Sequence, residues 1–180
     1  MSILKVARMG HPVLRIKTPA VERAAIKSAA VQTLIDDMID TMHEYHGVGL
    51  AAPQVHEGVR LFVAALDAAD PGERGDDAVD IEPIVLINPE ITRMGNEIVE
   101  DWEGCLSIPE IRGRVPRAHD ITVRAYDRKG ARIEITARGF SARVIQHETD
   151  HLDGILFVDR MKSFESLTFI DEYSRYWMKD

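Results

Sequence analysis

His147 and His151 stand four residues apart in the stretch QHETDHLDG, Gln146 to Gly154, with Glu148 directly after the first. On an α-helix of about 3.6 residues per turn, side chains at that spacing project from one face, one above the other. Two imidazoles are thereby offered to one divalent ion. Glu148 lies at the edge of the same face, where it can act as general base on a metal-activated water. The plainer alternative is a solvated helix that happens to carry two histidines and several acids. A catalytic site of this kind also needs a third ligand and one open coordination position. No histidine follows His151, and Glu165 and Glu172 remain downstream. Upstream, the single cysteine, Cys105, sits in EGCLS, Glu103 to Ser107. Taken alone, a free cysteine reads as a small buried hydrophobe. Beside an H-E-x-x-H pattern the ligand reading gains weight, because a thiolate binds Fe²⁺ or Zn²⁺ strongly.

These residues need a frame to hold them. From Ser28 to His46, Val31, Leu34, Ile35, Met38, Ile39, Met42 and Tyr45 recur at helical spacing opposite an acidic face, which predicts an amphipathic helix. Gly47 is expected as its left-handed cap, and His43 and His46 as surface residues. GVGLAAPQ, Gly47 to Gln54, is small, apolar and turn-rich, and it leaves one long polar side chain, Gln54, at its end. VRLFVAAL (Val59 to Leu66) and IVLINPEI read as strands, and the chain is expected to turn at Pro109. Alternation on both sides of Asp127–Gly130 predicts a β-hairpin. Ser141 is read as the N-cap of the histidine helix and Gly154 as its stop. Strands in hairpins with a few helices indicate an α+β fold.

Composition narrows the function classes. The 180 residues are enough for one domain with a real core, so 1–180 is expected to be a single catalytic unit. The acidic segment 67–83 reads as an exposed loop within it. With 22 basic and 30 acidic residues the net charge is −8, which argues against direct nucleic-acid binding through a basic surface. No apolar run is long enough for a membrane span, and the start, MSILKVARMG, has neither a signal-peptide nor a transit-peptide layout. A cytoplasmic bacterial protein is the expectation, a mature organellar form with its transit peptide removed being the alternative. Segment 163–180 is expected to form a C-terminal helix whose apolar residues pack on the domain. Between Met161 and Asp180 three basic residues stand against four acids, so this tail is not expected to grip the ribosome.

GVGLAAPQ, EGCLS and QHETDHLDG, in that order and at these spacings, resemble the three signature motifs of the peptide deformylases. The resemblance implies a compact α+β domain of antiparallel sheets around the metal-bearing helix. It makes Cys105, His147 and His151 the metal ligands and Glu148 the general base and later the acid. Gln54, through its side-chain amide, and Leu106, through its backbone N–H, become donors to the oxyanion. The methionine side chain is placed among the positions of Val48, Glu103, Phe140, Arg143 and Val144, and the small residues around Gly49 let the backbone pass close to substrate. The implied reaction is removal of the N-formyl group from the initiator methionine of new polypeptides. The metal is typically Fe²⁺, with Zn²⁺, Ni²⁺ or Co²⁺ able to occupy the same site. Formylated nascent chains are then the partners, with ribosome contact at most transient. Asp150 reads either as a support for one ligand histidine or as a plain acid on the helix surface. A zinc endopeptidase would want a third ligand downstream, and a non-catalytic relative would have lost Glu148, Gln54 or a ligand.

Overall fold

The computed structural model describes residues 2–66 and 82–178. The acidic stretch 67–83 therefore lies almost wholly outside the described residues.

Ala29–Glu44 forms α1, capped by the Ser28 side chain, which accepts the Val31 N–H. The left-handed residue after it is His46 (φ 53°), not Gly47. Gly47 serves a different purpose: a Cβ there would meet the Leu106 side chain at 2.9 Å. Five strands then build the main sheet: β1 (Gly49–Ala51), β2 (Leu61–Ala64), β3 (Ile84–Met94), and, later in the chain, β6 (Asp120–Tyr126) and β7 (Arg132–Arg138). They lie in the order β1-β2-β3-β6-β7, every neighbour antiparallel. The β6–β7 hairpin is the one expected around Asp127–Gly130.

Both faces of the sheet centre are covered, which explains why β2 reads as an unbroken apolar run rather than an alternation. Successive side chains of a strand point to opposite faces. Leu61 and Val63 pack with Ile35, Met38 and Met42 of α1. Phe62 and Ala64 pack on the other face with Ala142, Ile145 and Leu152 of the helix α2, Gly139–Leu152. The helix bearing the two histidines is thus buried along nearly its whole length.

A second antiparallel sheet covers its remaining side: β4 (Ile98–Cys105), β5 (Ile108–Ala118) and the short β8 (Thr168–Phe169), in that order. Cys105 pairs with Ile108, so the chain reverses at Leu106–Ser107 and Pro109 lies inside β5. The α2 cap also differs from expectation. Arg138 is the N-cap, Gly139 enters at φ 52° with its N–H on His119 O, and Ser141 already lies in the first turn. Gly154 does follow the end of α2 at φ 74°, with the Arg15 backbone where a Cβ would project. After α3 (Phe157–Arg160), the segment expected as one helix from 163 divides into a 3₁₀ turn, β8 and α4, Ile170–Tyr176. The open edge of β5 draws Thr168 and Phe169 into pairing with Arg112 and Ile111, which interrupts helix formation. Phe164, Phe169 and Trp177 stay exposed instead of forming the buried band their spacing suggested. No described helix is long and apolar enough to cross a membrane.

Candidate metal centre

The i, i+4 spacing on α2 does bring the imidazoles together: the Nε2 atoms of His147 and His151 are 3.2 Å apart. Cys105, at the end of β4, places its Sγ 3.2 Å from His151 Nε2. One donor atom from each of these three residues falls within 4.8 Å of the others, and all three residues are buried. Glu165 and Glu172 take no part in this group. The third donor thus comes from a strand end rather than from further along the chain.

The surroundings suit a cation. Burial by itself would lower the pKa of His147, but the Cys105 sulfur and the Glu103 carboxylate outweigh it and hold the value well above the ordinary one. That same negative field favours a divalent ion. His151, without a carboxylate of its own, is pushed well below its usual range by burial and by the charge at His147. His147 Nδ1–H donates to Glu103 Oε2 at 2.9 Å, which leaves Nε2 free to face the cluster. The donor set, one cysteine sulfur and two imidazoles with one imidazole held by a carboxylate, would suit a divalent metal such as iron or zinc.

Glu103 therefore does more than line a wall. Its carboxylate takes the Nε and one Nη of Arg117 and an Nη of Arg143, at 2.8–3.1 Å. Burial tends to raise its pKa, but the His147 and Arg117 hydrogen bonds prevail and hold it far below the usual carboxylate range. Asp150 does not touch a ligand histidine. It is bound by Arg117 Nη1 at 2.5 Å and by Arg160 Nη2 at 2.7 Å. Arg117 thus joins the carboxylate that orients His147 to the back of α2. The sequence reading passed over Arg117, although one signal was present: with Gly113 and Val115 it occupies the inward parity of β5. A charge at an inward position must be paired.

Gln54 is in the 3₁₀ turn Ala52–Val55 and is buried. Its Oε1 accepts the Ala51 N–H at 2.8 Å, so its amide nitrogen is the end turned toward Ser107 Oγ (3.2 Å) and Cys105 Sγ (3.5 Å). Leu106 sits in the turn directly after Cys105. Glu148 is buried, and its Oε2 has no partner among the described residues. Burial pushes its pKa up to about 7, the Glu103 charge adding to the effect and His147 opposing it. A cavity of about 790 Å³ opens over this group. It is lined by Cys105, His147, Glu148, Gln54 and Leu106, and by all of the expected substrate positions: Val48, Gly49, Glu103, Phe140, Arg143 and Val144. Arg143, like Glu103, has its polar end committed, to Glu103 and to the carbonyls of Val115 and Val99. Val48, Phe140 and Val144 provide the apolar surface.

Gly49 is held to its identity by contact: a Cβ at this position would run into the Glu148 carboxylate. Gly49→Ala is accordingly expected to keep the metal and to lower kcat/KM by at least about tenfold, since displacing a reacting group by an ångström is costly. Metal content and turnover measured on one preparation would check this, and an unimpaired Gly49→Ala enzyme would contradict it.

Two imidazoles on an H-E-x-x-H helix, joined by a cysteine sulfur from the end of a neighbouring strand and enclosed by antiparallel sheets, define a metallohydrolase. The model of the polypeptide deformylase family matches residues 3–166, and the chain belongs to that family. It is 44% identical over 178 residues to peptide deformylase 2 of Nostoc sp., covering 99% of this chain and 97% of that protein. To the peptide deformylase of Salinibacter ruber it is 45% identical over 163 residues, 90% of this chain and 82% of that one. Among solved structures it is similar to a Met-Ala-Ser-bound class I type b peptide deformylase from Acinetobacter baumannii. That similarity has a TM-score of 0.80 at 39% identity and covers 89% of this chain and 99% of that chain. The peptide deformylase of Thermotoga maritima superimposes with a TM-score of 0.78 at 37% identity, over 91% and 100% of the two chains. The activity of the present chain, as a member of this family, is removal of the N-formyl group from nascent polypeptides.

Proposed function

We propose that Cys105, His147 and His151 hold Fe²⁺ and that Glu148, Gln54 and Leu106 carry out deformylation around it. The observation that carries this reading is the buried Glu148 carboxylate, one oxygen unpartnered, in the cavity that Cys105 and His147 line, with His151 beside them in the donor group. A thiolate with two imidazoles suits iron and also zinc, nickel or cobalt. When bound, a divalent ion supplies Lewis acidity and lowers the pKa of water toward about 7. Glu148, with an affinity for protons near neutrality, accepts a proton from the attacking water and returns it to the leaving amine. As water adds to the formyl carbon, the carbonyl oxygen gains negative charge, and the Gln54 Nε2–H and Leu106 N–H donate to it. The Ala51 N–H acts one step behind, because it keeps the donor end of Gln54 pointing inward. Val48, Phe140 and Val144 receive the methionine side chain, while the close backbone at Gly49 leaves room for a formyl hydrogen and none for a methyl group.

The reading predicts rapid release of formate from formyl-Met-Ala-Ser and no acetate from acetyl-Met-Ala-Ser. Equal hydrolysis of both would overturn it. Elemental analysis after anaerobic purification identifies the metal, and a preparation that carries only zinc at full activity would overturn the iron assignment. Gln54→Leu is expected to lower kcat by about 10²–10³, the usual effect of losing one oxyanion donor, with metal content unchanged. Wild-type kcat in that variant would remove Gln54 from the mechanism. The cytoplasm is the proposed location, with nascent chains met as they leave the ribosome.

A further inference from the structure

The cavity over the metal centre is not closed by residues of the family match alone. At about 790 Å³ it is in the range that encloses a drug-sized ligand, which leaves room for peptide residues beyond formylmethionine. Apolar side chains that the mechanism does not use line it, among them Trp102 on β4 and Ile170, the first residue of α4. Ile170 lies beyond residue 166, where the family match ends.

This outer wall is built rather than incidental. Phe169 and Thr168 pair with Ile111 and Arg112, which fixes where α4 begins and so where Ile170 stands. On α4, Tyr173 meets the Trp102 ring edge-on with centroids 4.9 Å apart, and Trp177 leans against it at 5.7 Å. Aromatic pairs at such distances hold each other in orientation. The C-terminal segment thus contributes one wall residue and clamps the other. Trp102 is three residues before Cys105 on an extended strand, and three residues span roughly 10 Å. An extended peptide with its formyl group at the metal centre brings its second or third side chain level with that position.

We propose that Ile170 and the clamped Trp102 form a specificity wall for the residues that follow formylmethionine, selecting apolar side chains at the second or third position. The C-terminal segment thereby sets part of the substrate preference. This rests on the reading of the cavity given above.

The test uses the metal-loaded enzyme on formyl-Met-Ala-Ser, formyl-Met-Leu-Ser, formyl-Met-Ala-Leu and formyl-Met-Asp-Ser. In the wild type at least one leucine peptide is expected to exceed the aspartate peptide in kcat/KM by roughly tenfold, the scale of a modest apolar contact. Ile170→Asp should reduce that ratio at least about fivefold, within the range of one apolar contact. Trp177→Ala, which leaves Ile170 in place and removes one of the two rings that hold Trp102, should reduce it in the same direction. Met94→Ser, an exposed position at the far end of β3, should leave the ratio unchanged. A wild type without preference, or a ratio that survives both Ile170→Asp and Trp177→Ala, would overturn the wall while leaving deformylation intact. If none of the formyl peptides is hydrolysed by the wild type, the reading of the cavity fails and the wall with it.

Discussion

Glu148→Gln is expected to bind metal as tightly as the wild type and to turn over about 10²–10⁴ times more slowly, the usual contribution of a positioned proton-transfer group. The substitution is close to isosteric, which matters at a position packed against Gly49. None of the three donor atoms changes, so the metal should remain. What is lost is the group with proton affinity near neutrality, because an amide cannot accept a proton from water and return it to the amine. The decisive measurement is kcat on formyl-Met-Ala-Ser with metal content determined on the same sample. Full turnover with metal bound would show that the proton moves by another route. Loss of the metal would show that Glu148 is a ligand.

Cys105→Ala should abolish both metal binding and activity. Removing a hydrogen-bond partner of a ligand typically weakens metal affinity by about 10–100-fold, and removing the anionic ligand itself should exceed that. Three groups converge on this sulfur: His151 Nε2 at 3.2 Å, the Ser107 N–H at 3.4 Å and the Gln54 amide at 3.5 Å. Alanine deletes the donor atom on which these groups converge. The side chain is small and lies at the edge of a core cluster with Ile108 and Phe157, so the fold should survive. Dialysis against a chelator followed by metal analysis separates the outcomes. A Cys105→Ala protein that retains stoichiometric metal would mean that the third ligand lies elsewhere.

Much of the centre was legible in the sequence because it depends on short spacing. Four residues on a helix put His147 and His151 on one face whatever surrounds them, and Glu148 follows from adjacency. The β6–β7 hairpin and α1 were legible for the same reason, since period-2 and period-3.6 patterns are local. Local rules failed where a distant segment decided the outcome. Gly47 looked like a helix cap, but the Leu106 side chain, brought in by another strand pair, is what a Cβ there would strike. The tail looked like one helix until the free edge of β5 paired with Thr168 and Phe169.

By itself, the sequence determined the residue types that can bind a metal, the helix that pairs two of them, and the α+β class. Tertiary structure decided the rest. It chose Cys105 over Glu165 and Glu172 by placing the end of β4 against α2. It turned Glu103 into the acceptor for His147 by supplying Arg117 and Arg143 to neutralise a buried carboxylate. It sent Asp150 to Arg117 and Arg160 instead of to a histidine. The physical reason is that a buried charge takes its partner from whatever segment is packed beside it. Those partners lie 10 to 46 residues away along this chain.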